Sequence, residues 1–192
     1  MKGAIGMLGD GQLAQMTCLA AREIGIPCYV YASSLESPAA LVADRVFVGD
    51  FSDSAALAAF ADAVDAVGYD TELLPIDCVR AVAQRTVACP HPDVLFATQN
   101  RIRERELLRA AQVPMPRVAA VETESDIERA GAITGWPAIL KTAEQGYDGK
   151  GQATVLDAEA ARRAFAACGN VPCVLEQRVE FAAEMSVIVA GD

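Results

Sequence analysis

The residues best placed by type and spacing to do chemistry are Gly146-Tyr147-Asp148-Gly149-Lys150-Gly151-Gln152, three glycines and a lysine within seven positions. Glycine tolerates positive φ and has no side chain to hold a ligand away. Backbone N–H groups in such a run can therefore turn toward an anion while Lys150 adds charge. The chemistry is that of a phosphate cradle. Its flanks, Ala138-Ile139-Leu140-Lys141-Thr142 before and Ala153-Thr154-Val155-Leu156 after, have strand character and no helical period. The run thus joins two strands. A P-loop or a Rossmann fingerprint leads from a strand into a helix, so neither describes it. Two readings stay open, a flap that closes over a nucleotide and an ordinary glycine-rich hairpin turn. Lys141, a cation on an otherwise apolar strand, reads as a ligand in preference to a lysine that merely reaches solvent.

Two other stretches carry candidate chemistry. Gly9-Asp10-Gly11-Gln12-Leu13-Ala14 satisfies the loose pattern G-x-G-x-x-A after an apolar strand at residues 4–8. A dinucleotide site would place an acidic residue at the end of the next strand, yet Ala32-Ser33-Ser34 stands there and Glu36 is a poor substitute. Tyr69-Asp70-Thr71-Glu72 closes a later strand. Ligands gather at the carboxyl ends of parallel strands, which makes both stretches candidate substrate loops on one edge. Alternatively, Asp70 and Glu72 cap the helix that follows.

The elements that must position these residues alternate between strand and helix. That alternation predicts an α/β fold, a Rossmann-like domain with a parallel sheet; the α+β lid after it is what the family resemblance below implies. Leu13, Met16, Ala20 and Ile24 give the first helix an apolar face, with Gly25 as its C-cap. A short helix is expected at 38–43, strands at 28–31, 46–48 and 66–69, and a helix at 53–63. Cys89-Pro90-His91-Pro92 breaks regular structure, which sets the first domain at 1–95. The helix at 100–109 is rich in charge, and its Arg103, Glu106 and Arg109 spacings suit a solvated face. A strand at 117–121, a short helix ending at Gly135, the hairpin, a helix at 158–168 and a strand at 174–176 complete the chain. The same resemblance implies a linker helix and lid at 96–173 and the incomplete beginning of a further subdomain at 174–192.

Composition narrows the function classes. The chain has 192 residues, is 53% hydrophobic and carries a formal charge of −10, with 26 acidic against 16 basic residues. It can fill a core, and its charge opposes a general nucleic-acid role. The six cysteines contain no C-x-x-C pair and the one histidine, His91, stands between prolines, so no zinc spacing is present. No apolar run approaches a membrane span. Reduced thiols and a cytoplasmic location are expected.

The order of Gln99-Asn100-Arg101, Ile139-Leu140-Lys141, residues 146–152, Val174-Leu175-Glu176 and Glu184-Met185-Ser186-Val187 resembles that of the ATP-grasp enzymes. The resemblance covers nearly the whole chain. It is strongest to the 5-(carboxyamino)imidazole ribonucleotide synthases, whose loop reads Gly-Tyr-Asp-Gly-Lys/Arg-Gly-Gln. This likeness implies that Arg101 and Lys141 contact the phosphates of ATP and that Gly146, Tyr147, Asp148, Gly149, Lys150, Gly151 and Gln152 close over them. It implies further that Glu176, Gln177, Arg178 and Val179 line the adenine and ribose, and that Glu184 completes the nucleotide site. Gln12, Glu72, Tyr147 and Asp148 would border the ribonucleotide.

The implied reaction phosphorylates bicarbonate with ATP to carboxyphosphate, which carboxylates the amino group of 5-aminoimidazole ribonucleotide. Mg2+ and a homodimer are implied too, with the metal ligands expected beyond residue 192 and none within the chain. On that expectation the 192 residues alone would not turn over. Two departures from the family pattern bear on the ribonucleotide. Asp10, Ala14 and Gln15 replace residues of its first loop, and Tyr69-Asp70-Thr71-Glu72-Leu73 only partly matches its Tyr-Glu-Phe-Glu-Asn. A carboxylate at Asp10 would repel a phosphate, and Gln15 lacks the charge of an arginine. A non-catalytic nucleotide-binding module and a nicotinamide-dependent oxidoreductase are the alternatives.

Overall fold

The computed structural model describes residues 3–144, 146 and 151–189. Strand β1 (Ile5–Leu8) is apolar throughout and pairs in parallel on both sides, with β2 (Cys28–Ala32) and β4 (Ala66–Tyr69). A strand covered on both faces requires such a run instead of alternation. β3 (Arg45–Val48) joins β2 and β5 (Val87–Ala88) joins β4, giving a parallel sheet of order β3-β2-β1-β4-β5. Helix α1 (Gln12–Glu23) packs Ala14, Cys18 and Ala21 with Met7 and Val30 in one core. Helices α2 (Ser54–Ala61) and α3 (Ile76–Ala83) bury Leu57, Phe60, Val79 and Val82 with Leu8 and Val67 in another. Gly6 is required here, because a Cβ on it would lie 2.7 Å from Phe60 Cζ. Helix α4 (Pro92–Thr98) follows, and the first compact unit runs from Met1 to Gln99.

Three local expectations are corrected. The buried face of α1 is its line of small residues; Leu13 and Ile24 are 61% and 73% exposed, and Met16 is exposed as well. Close packing of a helix on a sheet selects short side chains, and that outweighs the pattern of large ones. Residues 38–43 form turns and no helix. The segment is too short to nucleate alone, and its Ala39 N–H is drawn to the Asp10 carbonyl at 3.1 Å. Asp70 and Glu72 do not cap α3, whose N-cap is Pro75.

The second compact unit runs from Asn100 to Asp192. β6 (Val118–Val121), β7 (Ala138–Thr142), β8 (Gln152–Val155) and β9 (Cys173–Gln177) form an antiparallel sheet of order β6-β9-β7-β8. One face carries Ala119, Val121, Ala138, Leu140 and Leu175, packed with Ile127 of α6 (Ile127–Thr134) and Phe165 of α7 (Ala158–Ala167). Helix α5 (Arg101–Ala110) meets β9. Glu176, placed by the sequence reading in a third segment from 174, lies in β9, a central strand here. Residues 178–189 have no regular structure, and Phe181, Met185, Val187, Ile188 and Val189 are exposed. Among the described residues no helix is long and apolar enough to cross a membrane.

Candidate functional site

In the first unit the sheet order reverses between β1 and β4, and the loops after those strands meet at their carboxyl ends. Gly9 adopts φ +105°, and a Cβ there would lie 1.8 Å from Asp70 Oδ1. Only glycine fits. Gly11 N–H donates to Asp70 Oδ2 at 2.6 Å, while Asp10 Oδ2 accepts from the N–H and the hydroxyl of Ser33, both at 2.8 Å. Burial pushes the Asp70 carboxyl up and the neighbouring Asp10 adds to this, against the opposing pull of the Gly11 N–H. Both aspartates are thus committed to bracing the β1–α1 loop. The N–H that a Rossmann loop offers to pyrophosphate is held here by a carboxylate, which speaks against a dinucleotide. Gln12, the first residue of α1, and Glu72 are exposed.

In the second unit, strand alternation sends Leu140 and Leu175 to the core and leaves Lys141 and Glu176 on the opposite face. Lys141 pairs with Gln152 of β8 on one side and Val174 of β9 on the other, so it sits at the mouth of the β7–β8 hairpin. Its Nζ donates to Glu176 Oε2 at 2.5 Å. Glu176 is only 6% exposed and receives a second cation, with Arg105 Nε donating to Oε1 at 2.8 Å and Nη2 also 2.8 Å from that oxygen. Arg105 in turn reaches Glu104 Oε2 at 2.9 Å. Burial pushes the Glu176 carboxyl up, but Lys141 and Arg105 outweigh it and hold the group below the usual carboxylate range.

Arg101 opens α5 behind the N-cap Asn100, whose side chain accepts from Ile102 N–H at 2.9 Å and Arg103 N–H at 3.3 Å. The Arg101 guanidinium donates to the carbonyls of Thr142 at 2.7 Å and Gly146 at 2.6 Å, and its own N–H to Ala143 O at 2.8 Å. It therefore clasps the root of the glycine run. At the other root Gly151 adopts φ +70°, and its carbonyl accepts from Thr142 N–H at 2.8 Å. The run does join two antiparallel strands, with Gln152 beginning β8. Tyr147, Asp148, Gly149 and Lys150 lie outside the described residues.

Residues 1–99 match the ribonucleotide synthetase preATP-grasp domain, and residues 106–192 match the ATP-grasp domain. The chain belongs to the ribonucleotide synthetase preATP-grasp family. Within it, the chain is 36% identical over 190 residues to N5-carboxyaminoimidazole ribonucleotide synthase of Brucella melitensis, spanning 98% of this chain and 52% of that protein. The crystal structure of an ADP complex of purK, N5-carboxyaminoimidazole ribonucleotide synthetase, superposes with a TM-score of 0.86 at 31% identity, over 94% of this chain and 48% of that one. The synthetase from Thermus thermophilus gives 0.82 at 34%, over 93% and 48%. The chain spans about half the length of these relatives.

Sorted by position, Arg101, Lys141, Gly146, Gly151, Gln152 and Glu176 lie at the hairpin mouth or on the strands beside it. Gln177 is turned toward β6, its Oε1 accepting from Arg117 Nε at 3.2 Å. Arg178, Val179 and Glu184 are exposed in the segment after β9. Glu176, expected along the adenine and ribose, is buried and paired with Lys141 and Arg105. Arg105 was missed, because the charges of α5 read as a solvated face. The available signal was the i,i+4 spacing that puts it on the same side of α5 as Arg101. Among the described residues no three His, Cys, Asp or Glu side chains come together to hold a metal ion.

Proposed function

We propose that the chain is the nucleotide-binding part of an enzyme that carboxylates 5-aminoimidazole ribonucleotide with bicarbonate and ATP, yielding 5-(carboxyamino)imidazole ribonucleotide, ADP and phosphate. The observation that carries this reading is Lys141, held by a buried carboxylate at the mouth of a glycine hairpin, in a chain whose relatives are N5-carboxyaminoimidazole ribonucleotide synthases. One of those relatives is an ADP complex at 31% identity. On this reading Lys141 and Arg101 meet the phosphates of ATP, the residues of 146–152 close over them, and Glu176, Gln177, Arg178, Val179 and Glu184 follow the adenine and ribose. Gln12, Glu72, Tyr147 and Asp148 border the ribonucleotide.

The chemistry asked of these residues is positioning and charge stabilisation. A cation fixed on a strand neutralises developing phosphate charge without reorganising, and a closing hairpin excludes water from a reactive acyl phosphate. Mg2+ accompanies ATP in the proposed reaction and would offset phosphate charge. A homodimer in the cytoplasm is the expected setting.

The test is ADP formation from MgATP, with 5-aminoimidazole ribonucleotide and bicarbonate added singly and together, beside calorimetric titration with the ribonucleotide. Stimulation by the two together, or saturable ribonucleotide binding where turnover is absent, supports the reading. A folded chain that neither binds the ribonucleotide nor responds to it would contradict the assignment of substrate.

A further inference from the structure

Glu176 divides its two oxygens between two cations. Arg105 puts Nε and Nη2 on Oε1, each at 2.8 Å, and Lys141 meets Oε2 alone, at 2.5 Å. An ammonium has three donors, so one bond to Oε2 leaves two N–H groups for other acceptors. Among the described residues Glu104 is the further charged group here; it binds the far side of Arg105 at 2.9 Å and fixes the guanidinium in turn. We propose that Arg105 is a positioning residue for the nucleotide: by filling Oε1 it sets the rotamer of Glu176 and confines Lys141 to a single carboxylate bond, leaving its ammonium open to a phosphate. The inference rests on the nucleotide reading above and adds to it a residue on α5.

The argument is one of partners. A carboxylate as buried as Glu176 needs its charge compensated on both oxygens. Without Arg105 the one cation left on it among the described residues is Lys141, and the carboxylate turns to engage that ammonium with both oxygens. Lys141 is then a closed ion pair and a poorer anion ligand. The planar fork of Arg105 is what holds two N–H groups on one oxygen, and a lysine in its place supplies charge without that geometry.

The experiment is calorimetric titration with ADP of the wild-type chain and of Arg105→Met, Arg105→Lys, Glu176→Gln and the Arg105→Met/Glu176→Gln pair, each first checked for folding by circular dichroism. Arg105→Met is expected to weaken ADP binding about tenfold or more, the scale of a lost hydrogen bond to a charged group. Arg105→Lys is expected to lose less. In the Glu176→Gln background Arg105→Met changes the affinity by less than about threefold, because its route to the ligand is gone. If Arg105→Met does not fold, Arg105→Gln carries the same comparison. Wild-type affinity in Arg105→Met, or an equal loss with and without Glu176, overturns this inference alone. Absence of ADP binding by the folded wild-type chain overturns the nucleotide reading and this inference with it.

Discussion

At the scale of single residues the second unit is governed by one buried carboxylate. The folded-state pKa of Glu176 lies below its ordinary value, so the group contributes stability that is present above the unfolded pKa, about 4.3, and is lost as pH falls through the lower folded value. Denaturation of wild type and Glu176→Gln over a pH series is expected to show the largest difference at neutral pH, shrinking below about pH 4. A difference that grows on acidification would contradict the assignment. Gly6 makes a second residue-level prediction. A methyl group at that position would press on Phe60, which is fully buried, so Gly6→Ala is expected to destabilise by about 1–3 kcal/mol in urea unfolding. Lys141 was legible in the sequence because a lone cation in an apolar strand stands out. Arg105 was not, since among six charged residues in nine positions of α5 nothing local marks the one that a distant strand will claim.

At the scale of elements, the loop after β1 and the hairpin between β7 and β8 illustrate opposite uses of glycine. In the first, Gly9 and Gly11 make room for a carboxylate of the protein itself; in the second, the described glycines at the roots bring backbone close to Arg101 and Thr142. Asp70→Ala is accordingly expected to leave the Gly11 N–H without its acceptor and to cost about 1–3 kcal/mol, read as a lowered urea midpoint at unchanged m-value. Unchanged stability would mean that water replaces the carboxylate freely. The strand and helix types of both units were readable from apolar runs and their breaks. The inward face of α1 was not, because its burial follows the space above the sheet, where Ala14, Cys18 and Ala21 fit and Leu13 and Ile24 do not. The turns at 38–43 escaped for a related reason, the Ala39 N–H being drawn to the carbonyl of Asp10, distant in sequence.

At the scale of the whole molecule, a parallel sheet and an antiparallel sheet each have their own core, and the features that speak for ATP lie in the second. Nucleotide binding is therefore expected to slow amide hydrogen exchange most in β7, β9 and the start of α5, the segments that carry Lys141, Glu176 and Arg101. Slowing confined to the β1–α1 loop would instead return the Rossmann reading. The fold class was legible from the alternation of elements and the family from the ordered motifs, whereas the commitment of Asp70 and Asp10 to their own loop required the structure. The measurement that tests the central claim most directly is calorimetric titration of the chain with ADP, repeated on Lys141→Ala. Saturable binding by the wild type that falls at least about tenfold in the variant is the expected result. A folded wild-type chain that takes up no ADP, or a Lys141→Ala chain that binds it equally well, would contradict a nucleotide site at the mouth of this hairpin.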